Sequence, residues 1–156
     1  MHKDTNLLVG DDVNCRIRRI DRHTGIISTA VLTEPLAACL EEAKYNGPMA
    51  TATDLTVDSE GRIVFTETAI NVVMRADKRS STASVVAGTG DRDFSGDHGP
   101  ALDATFSGPS GIVIDTKGNL YIADIGNNRV RRLDAATKTI ETIAGNGGPG
   151  IIHGEE

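Results

Sequence analysis

Short runs of apolar and β-branched residues alternate with turns rich in glycine and asparagine along most of the chain. The clearest example is the stretch 112–144, in which turn-forming residues separate four such runs, at 112–115, 120–124, 129–134 and 140–144. Apolar runs of this length, bounded by Gly and Asn, are typical of β-hairpins. The stretch therefore predicts a four-stranded antiparallel meander.

The same pattern occurs three times, so the chain is a tandem repeat. Residues 6–31 align without a gap with residues 119–144, and residues 62–90 align with residues 119–147. The two offsets are 113 and 57 residues, and their ratio of about two gives a period near 56 residues. The repeat predicts an all-β fold with strands near residues 6–10, 16–21, 26–31, 54–58, 62–67, 72–77, 83–87, 111–115, 120–124, 129–134 and 140–144.

The third unit resembles the NHL repeat. The motifs that carry the resemblance are Gly118-Asn119-Leu120-Tyr121-Ile122-Ala123-Asp124, Gly126-Asn127-Asn128-Arg129-Val130-Arg131-Arg132, and upstream Phe94-Ser95-Gly96-Asp97 and Gly99-Pro100-Ala101. The resemblance implies a β-propeller in which each repeat forms a four-stranded antiparallel blade. Blade 1 would cover about 6–31 and lack its first strand, blade 2 about 54–88, and blade 3 about 111–145.

Three blades are too few to surround an axis, because propellers have four to eight. The resemblance favours six blades, so we expect a homodimer that closes a six-bladed ring. Residues 147–153 are similar to a shortened copy of residues 108–113. We expect the tail 149–153 to pair beside Leu7-Leu8-Val9 of the partner as a closing strand. The alternative is an inactive fragment of a longer propeller.

The charge balance argues against nucleic acid as a partner. The formal net charge is −6 and the pI is about 5.2, whereas nucleic-acid-binding domains are usually basic. In the two long connections between units, acidic residues outnumber Lys44 and Arg92; they are Glu34, Glu41, Glu42, Asp91, Asp93, Asp97 and Asp103. The resemblance places these connections on one face of the propeller, which RNA-binding relatives use as a basic surface.

On an acidic face of this kind we expect a protein or a small basic ligand to bind. The candidate ligand-binding residues are Asp91, Arg92, Asp93, Asp97 and His98.

An acidic residue and an arginine face each other across a predicted hairpin turn in two of the units. The pairs are Asp11 with Arg16 and Asp124 with Arg129. A carboxylate and a guanidinium in these positions can fix the register of the hairpin, so we expect a structural role, with an arginine-lined ligand site as the alternative. Unit two breaks the pattern, because Glu67 faces Val72 there, and its hairpin should be less well fixed.

The sequence predicts no catalytic residue, metal ligand or cofactor. Asp91-x-Asp93-x-x-x-Asp97 clusters carboxylates, as Ca²⁺ prefers, but it lacks the spacing of an EF-hand loop. The histidines, His2, His23, His98 and His153, stand apart without the spacing of metal ligands. The leading prediction is a non-enzymatic binding or protein-interaction scaffold. The alternative is a lyase-like or hydrolase-like enzyme with a site in the central channel.

The cysteines and the N-terminal segment add little to the prediction of function or compartment. Cys15 and Cys39 show no C-x-x-C spacing and are either two free thiols or one optional bridge. No signal peptide precedes the first strand, and no apolar run reaches membrane-spanning length. The sequence as written predicts a protein without membrane contact, cytoplasmic by default, with its compartment left open.

Overall fold

The computed structural model describes residues 6–11, 16–32, 52–76 and 83–149. These residues form an all-β fold, as predicted. The strands are β1 Leu7–Asp11, β2 Arg16–Ile20, β3 Ile27–Leu32, β4 Ala52–Val57, β5 Ile63–Glu67, β6 Val72–Ala76, β7 Ala83–Ala87, β8 Pro109–Ile114, β9 Leu120–Asp124, β10 Arg129–Leu133 and β11 Ile140–Ala144. Each bound lies within two residues of the predicted one.

The strands form three antiparallel sheets in which every strand pairs with its neighbours in sequence. The second and third sheets have four strands each, in the orders β4-β5-β6-β7 and β8-β9-β10-β11. The first sheet, within the described residues, has the three strands β1-β2-β3. We call these sheets blades 1, 2 and 3.

The turn between the second and third strands has the same build in blades 2 and 3. A three-residue 3₁₀ helix, Thr68–Ile70 in one and Ile125–Asn127 in the other, ends on an asparagine with left-handed backbone. Asparagine tolerates this conformation better than most residues do. Asn71 and Asn128 also donate side-chain hydrogen bonds to the carbonyl oxygens of Gly90 and Gly147, at 3.4 and 3.3 Å.

Blade 2 holds the innermost strand of blade 3 through side-chain hydrogen bonds to its backbone. The Thr66 and Thr68 hydroxyls donate to the carbonyl oxygens of Ser110 and Pro109, at 2.6 and 2.5 Å. The Asp54 carboxylate accepts from the Ile112 amide at 2.9 Å. The two sheets therefore dock through hydrogen bonds as well as through apolar packing.

The connection between blades 2 and 3 fills part of the core. Ala101, Ala104 and Phe106 are buried together with strand residues such as Leu120 and Ile140, in the apolar cluster that joins the two blades. A second cluster joins blades 1 and 2 and contains Ile17, Ile63, Phe65, Val72, Met74 and Ala76. The connection 88–108 is therefore a packed element as well as a surface loop.

Several residues considered in the sequence lie outside the described residues. They are His2, Cys15, Glu34, Cys39, Glu41, Glu42, Lys44, His153 and the tail beyond Pro149. Within the described ranges, no helix combines the length and apolar character needed to cross a membrane.

Candidate functional site

A buried ion cluster lies where blade 3 meets the connection 88–108. Asp124, at the end of β9, and Arg131, in β10, are both fully buried. One terminal nitrogen of Arg131 lies 3.5 Å from the Asp124 carboxylate, and the other lies 2.9 Å from the carboxylate of Asp97 in the connection. A single guanidinium therefore joins the second strand, the third strand and the connection.

Most of the remaining polar atoms of the cluster are hydrogen-bonded, whereas the Nε of Arg131 has no hydrogen-bond partner among the described residues. The Asp124 carboxylate accepts from the Ser107 amide and from the Asn127 side-chain amide, both at 2.8 Å. Arg131 donates to the carbonyl oxygens of Ser95 and Thr105, at 2.9 and 3.3 Å. Because buried charges are costly without partners, this network stabilises a particular course of the connection over blade 3.

Two phenylalanines of the connection flank the arginines of β10. The Phe94 ring centroid lies 3.6 Å from the guanidinium carbon of Arg129 and 4.9 Å from that of Arg131. The Phe106 ring centroid lies 5.5 Å from the Arg131 carbon on the same measure. These distances suit cation–π attraction, which adds to the ionic contacts.

The hairpin partner of Asp124 differs from the predicted one. The strand register does place Arg129 opposite Asp124, but the Arg129 guanidinium donates to the carbonyl oxygens of Asn127 and Asn146. The ion pair is made by Arg131, two residues further along. Long side chains reach such diagonal neighbours across a strand pair, which explains the shift.

Blade 1 repeats the diagonal contact. Asp11 stands opposite Arg16 in the register, and an Asp11 carboxylate oxygen lies 3.4 Å from a terminal nitrogen of Arg18. Arg18 and Arg131 occupy equivalent positions in the repeat. The repeat therefore contained a signal for the second arginine, although its pairing with the acid was not predicted.

The other candidate ligand-binding residues have internal contacts of their own. Besides Asp97, already described, Arg92 donates from its Nε to the Ser107 hydroxyl at 3.1 Å. The Asp93 carboxylate accepts from the Phe94 amide at 2.8 Å. These contacts organise the connection from within.

Asp91 and His98 lie at exposed points of the connection. The Asp91 carboxylate accepts from the Thr89 hydroxyl at 3.3 Å. His98 has a positive φ of 66° and donates its backbone amide to the Ile140 carbonyl at 2.7 Å. All five candidates therefore lie in the connection 88–108, where a side-chain or backbone contact within the protein holds each of them.

Glu67 is a buried carboxyl group that the sequence did not predict. It is 1% exposed, and neither carboxylate oxygen has a hydrogen-bond partner among the described residues. Burial removes water from the group and raises the pKa of Glu67 to about 7. The repeat alignment did identify the missing arginine of this blade, but it could not show that the acid would be enclosed.

A cavity of about 510 Å³ lies between β1 and β4. Its lining comes from two short segments, residues 8–10 and residues 52–55. Among the described residues, no group of three or more His, Cys, Asp or Glu side chains is placed to hold a metal ion.

The family model of the teneurin NHL domain matches residues 1–148 of this chain. Human Teneurin-4 is 33% identical over 104 residues, which cover 59% of this chain and 4% of that protein. Human Teneurin-1 is 48% identical over 40 residues, which cover 26% of this chain and 2% of that protein. The chain thus spans a small part of the length of these relatives.

Solved structures with propeller-like folds are also similar. A streptogramin B lyase has a TM-score of 0.59 at 21% identity, covering 91% of this chain and 38% of the lyase. A gluconolactonase from Xanthomonas campestris has a TM-score of 0.65 at 15% identity, covering 91% of this chain and 44% of that chain. A protein of unknown function from Bacteroides thetaiotaomicron has a TM-score of 0.71 at 17% identity, covering 90% of this chain and 33% of that chain. At these identities the likeness concerns the fold alone.

Proposed function

This chain belongs to the teneurin NHL domain family, which confirms the resemblance to NHL repeats, and we propose that it serves as a non-enzymatic protein-interaction scaffold. The observation that carries the proposal is the way in which the connection 88–108 is fixed. Its Asp97 is bound to the buried Arg131, and its Arg92 is bound to Ser107. A loop that a rigid scaffold holds in one conformation loses little entropy when it binds a partner.

The charge of this connection supports a basic partner. Asp91, Asp93 and Asp103 are exposed along it, and Arg92 is its one lysine or arginine. Complementary charge speeds association and selects against acidic partners. We therefore propose a protein segment or small ligand that carries lysine or arginine groups.

A lysine-rich peptide tests this proposal. A fluorescein-labelled decapeptide of alternating Lys and Gly is titrated with the full chain at low ionic strength, and binding is followed by fluorescence anisotropy. The double variant Asp91→Asn/Asp103→Asn should weaken binding several-fold. The matched control Glu60→Gln/Glu141→Gln removes the same number of negative charges elsewhere and should bind like the wild type.

The proposal is contradicted if the peptide does not bind at low salt, or if both double variants weaken its binding equally. It is also contradicted if the purified protein turns over lactone substrates and carries a stoichiometric metal in mass spectrometry. The last result would favour an enzyme with a site in the central channel.

We also propose that two copies of the chain form a six-bladed ring. Support comes from β1, which has one neighbouring strand among the described residues, and from the cavity between β1 and β4. In blades 2 and 3, an innermost strand lies beside the strand equivalent to β1. The proposed occupant is the tail 149–153 of the partner copy.

Light scattering tests the ring. The intact chain should have the mass of a dimer, and deletion of residues 149–156 should convert it to monomer or aggregate. A stable monomer of the intact chain, or a dimer that survives the deletion, contradicts this assembly.

A further inference from the structure

Glu67 shares a face of β5 with Ile63 and Phe65, which belong to the apolar cluster that joins blades 1 and 2. It ends β5, where the register pairs it with Ala52 of β4 and Val72 of β6. The residue is 1% exposed, and in the part of the chain that the structure describes both carboxylate oxygens lack a hydrogen-bond partner. Buried polar groups without partners are uncommon and costly, so this carboxyl calls for a physical explanation.

Blade 3 shows what the blade 2 carboxyl lacks. At the equivalent position Asp124 is bound by the Ser107 amide, the Asn127 side chain and Arg131. In blade 2 the positions of Asn127 and Arg131 are taken by Ile70 and Met74. The acid has been kept while both side-chain donors have been replaced by apolar residues.

Charged groups on the surrounding strands do not replace the lost donors. Within the described residues, no hydrogen bond or ion pair joins Glu67 to the charged residues of β1, β2, β4 and β6, which are Asp11, Arg16, Arg18, Arg19, Asp54 and Arg75. Asp54 accepts from the Ile112 amide of blade 3, and Arg75 lies 3.9 Å from Asp58. The charged residues of 33–51 lie outside the described part of the chain.

We propose that Glu67 makes the contact between blades 1 and 2 sensitive to pH, so that the blades pack firmly when the carboxyl is protonated and loosely when it is ionised. Among the described residues, blade 1 contributes one fully buried side chain, Ile17, to the shared apolar cluster, with Leu8 and Ala30 partly buried beside it. An ionised carboxylate without a partner on the same face of β5 would weaken this contact.

The direction of the pH effect follows from linkage. In the unfolded chain the carboxyl has its ordinary pKa of 4.5, and burial raises the pKa of Glu67 to about 7 in the folded chain. The stabilising effect of the protonated form is fully present below pH 4.5 and is lost as pH rises through 7. The corresponding change in the folding equilibrium is at most roughly 300-fold, since each pKa step is a factor of ten.

The experiment compares three full-length proteins, the wild type, Glu67→Gln and the control Glu60→Gln. Glu60 belongs to the same blade but is exposed, with its side chain 65% accessible. Denaturation is followed by circular dichroism between pH 5 and 8.5. As pH rises, the wild type and the control should both lose stability relative to Glu67→Gln. The change in the folding equilibrium constant should not exceed roughly 300-fold, and most of it should occur below pH 7.5.

A second measurement places the effect at the junction. Hydrogen exchange, corrected for the intrinsic pH dependence, should show β2 losing protection relative to β10 as pH rises in the wild type, and a constant ratio in Glu67→Gln. The proposal is overturned if the difference in stability between the wild type and Glu67→Gln is independent of pH. If Glu67→Gln does not fold, Glu67→Met replaces it, and a carboxyl NMR titration of wild-type Glu67 with a midpoint below pH 5 overturns the proposal independently.

Discussion

Replacement of Arg131 by methionine should destabilise blade 3 strongly. The chain itself supplies the design, because Met74 occupies the equivalent position in blade 2. In blade 3 the same residue would remove the cation between Asp124 and Asp97. Asp124 is fully buried, so its charge would lose its ionic partner without gaining water.

The magnitude can be worked out from the contacts that remain. Removing one partner of a buried ion pair typically costs about 3–5 kcal/mol. Asp124 would keep its hydrogen bonds from Ser107 and Asn127, and Asp97 is partly exposed, which argues for the lower end. The carbonyl oxygens of Ser95 and Thr105 would lose their donors, at about 1 kcal/mol each. We expect a loss of about 5 kcal/mol in the free energy of unfolding.

The assay is urea denaturation followed by far-ultraviolet circular dichroism, because the chain contains no tryptophan whose fluorescence could report unfolding. The matched control is Arg132→Met, since Arg132 is the next residue in β10 and makes half-exposed ion pairs with Asp134 and Glu141. Exposed pairs contribute at most about 1 kcal/mol, so the control should be mild. A loss of stability in Arg131→Met no larger than that in Arg132→Met would refute the stabilising role of the buried ion cluster.

Three further predictions concern other parts of the molecule. Hydrogen exchange should be faster at the turn between Glu67 and Val72 than at the turn between Asp124 and Arg129, because only the second turn has a bonded acid; equal protection would contradict this. Gly145→Ala should destabilise by more than about 1 kcal/mol, since φ is 84° and a β-carbon would collide with the backbone of Asn128, whereas Gly25→Ala, at φ 70° in open space, should cost less in the same denaturation assay. Single-stranded RNA should not bind at physiological ionic strength, because the exposed connection is acidic; tight, salt-dependent binding in a filter assay would overturn this.

The repeat made the strands predictable, because a period of 56 residues fixes three sets of alternating apolar runs against one another. The contacts of the long side chains were less predictable. Arg129 and Arg131 share one face of β10, and which of them reaches Asp124 depends on where Phe94 and the carbonyl oxygens of the connection lie. Those positions are set by tertiary packing, which a pattern of residue types does not contain.

The burial of Glu67 was hidden for a related reason. A glutamate at the end of a strand is usually solvated, and the sequence shows only that its arginine partner is missing. Phe65, on the same face of β5 as Glu67, belongs to a cluster with Val72, Met74 and Ile17 that forms when two sheets from separate repeats come together. The burial of Glu67 thus depends on contacts between units, whereas the strands follow from patterns within them.

The packing of the connection 88–108 has a consequence for how such chains can grow by duplication. Ala101, Ala104 and Phe106 complete the apolar contact between neighbouring sheets, and Ser95 and Thr105 supply carbonyl groups to Arg131. A gene segment that encoded the sheet 109–144 alone would leave that arginine and that contact unfinished. The unit that can be copied into a longer array is therefore 88–144, with each sheet inherited together with the connection that precedes it.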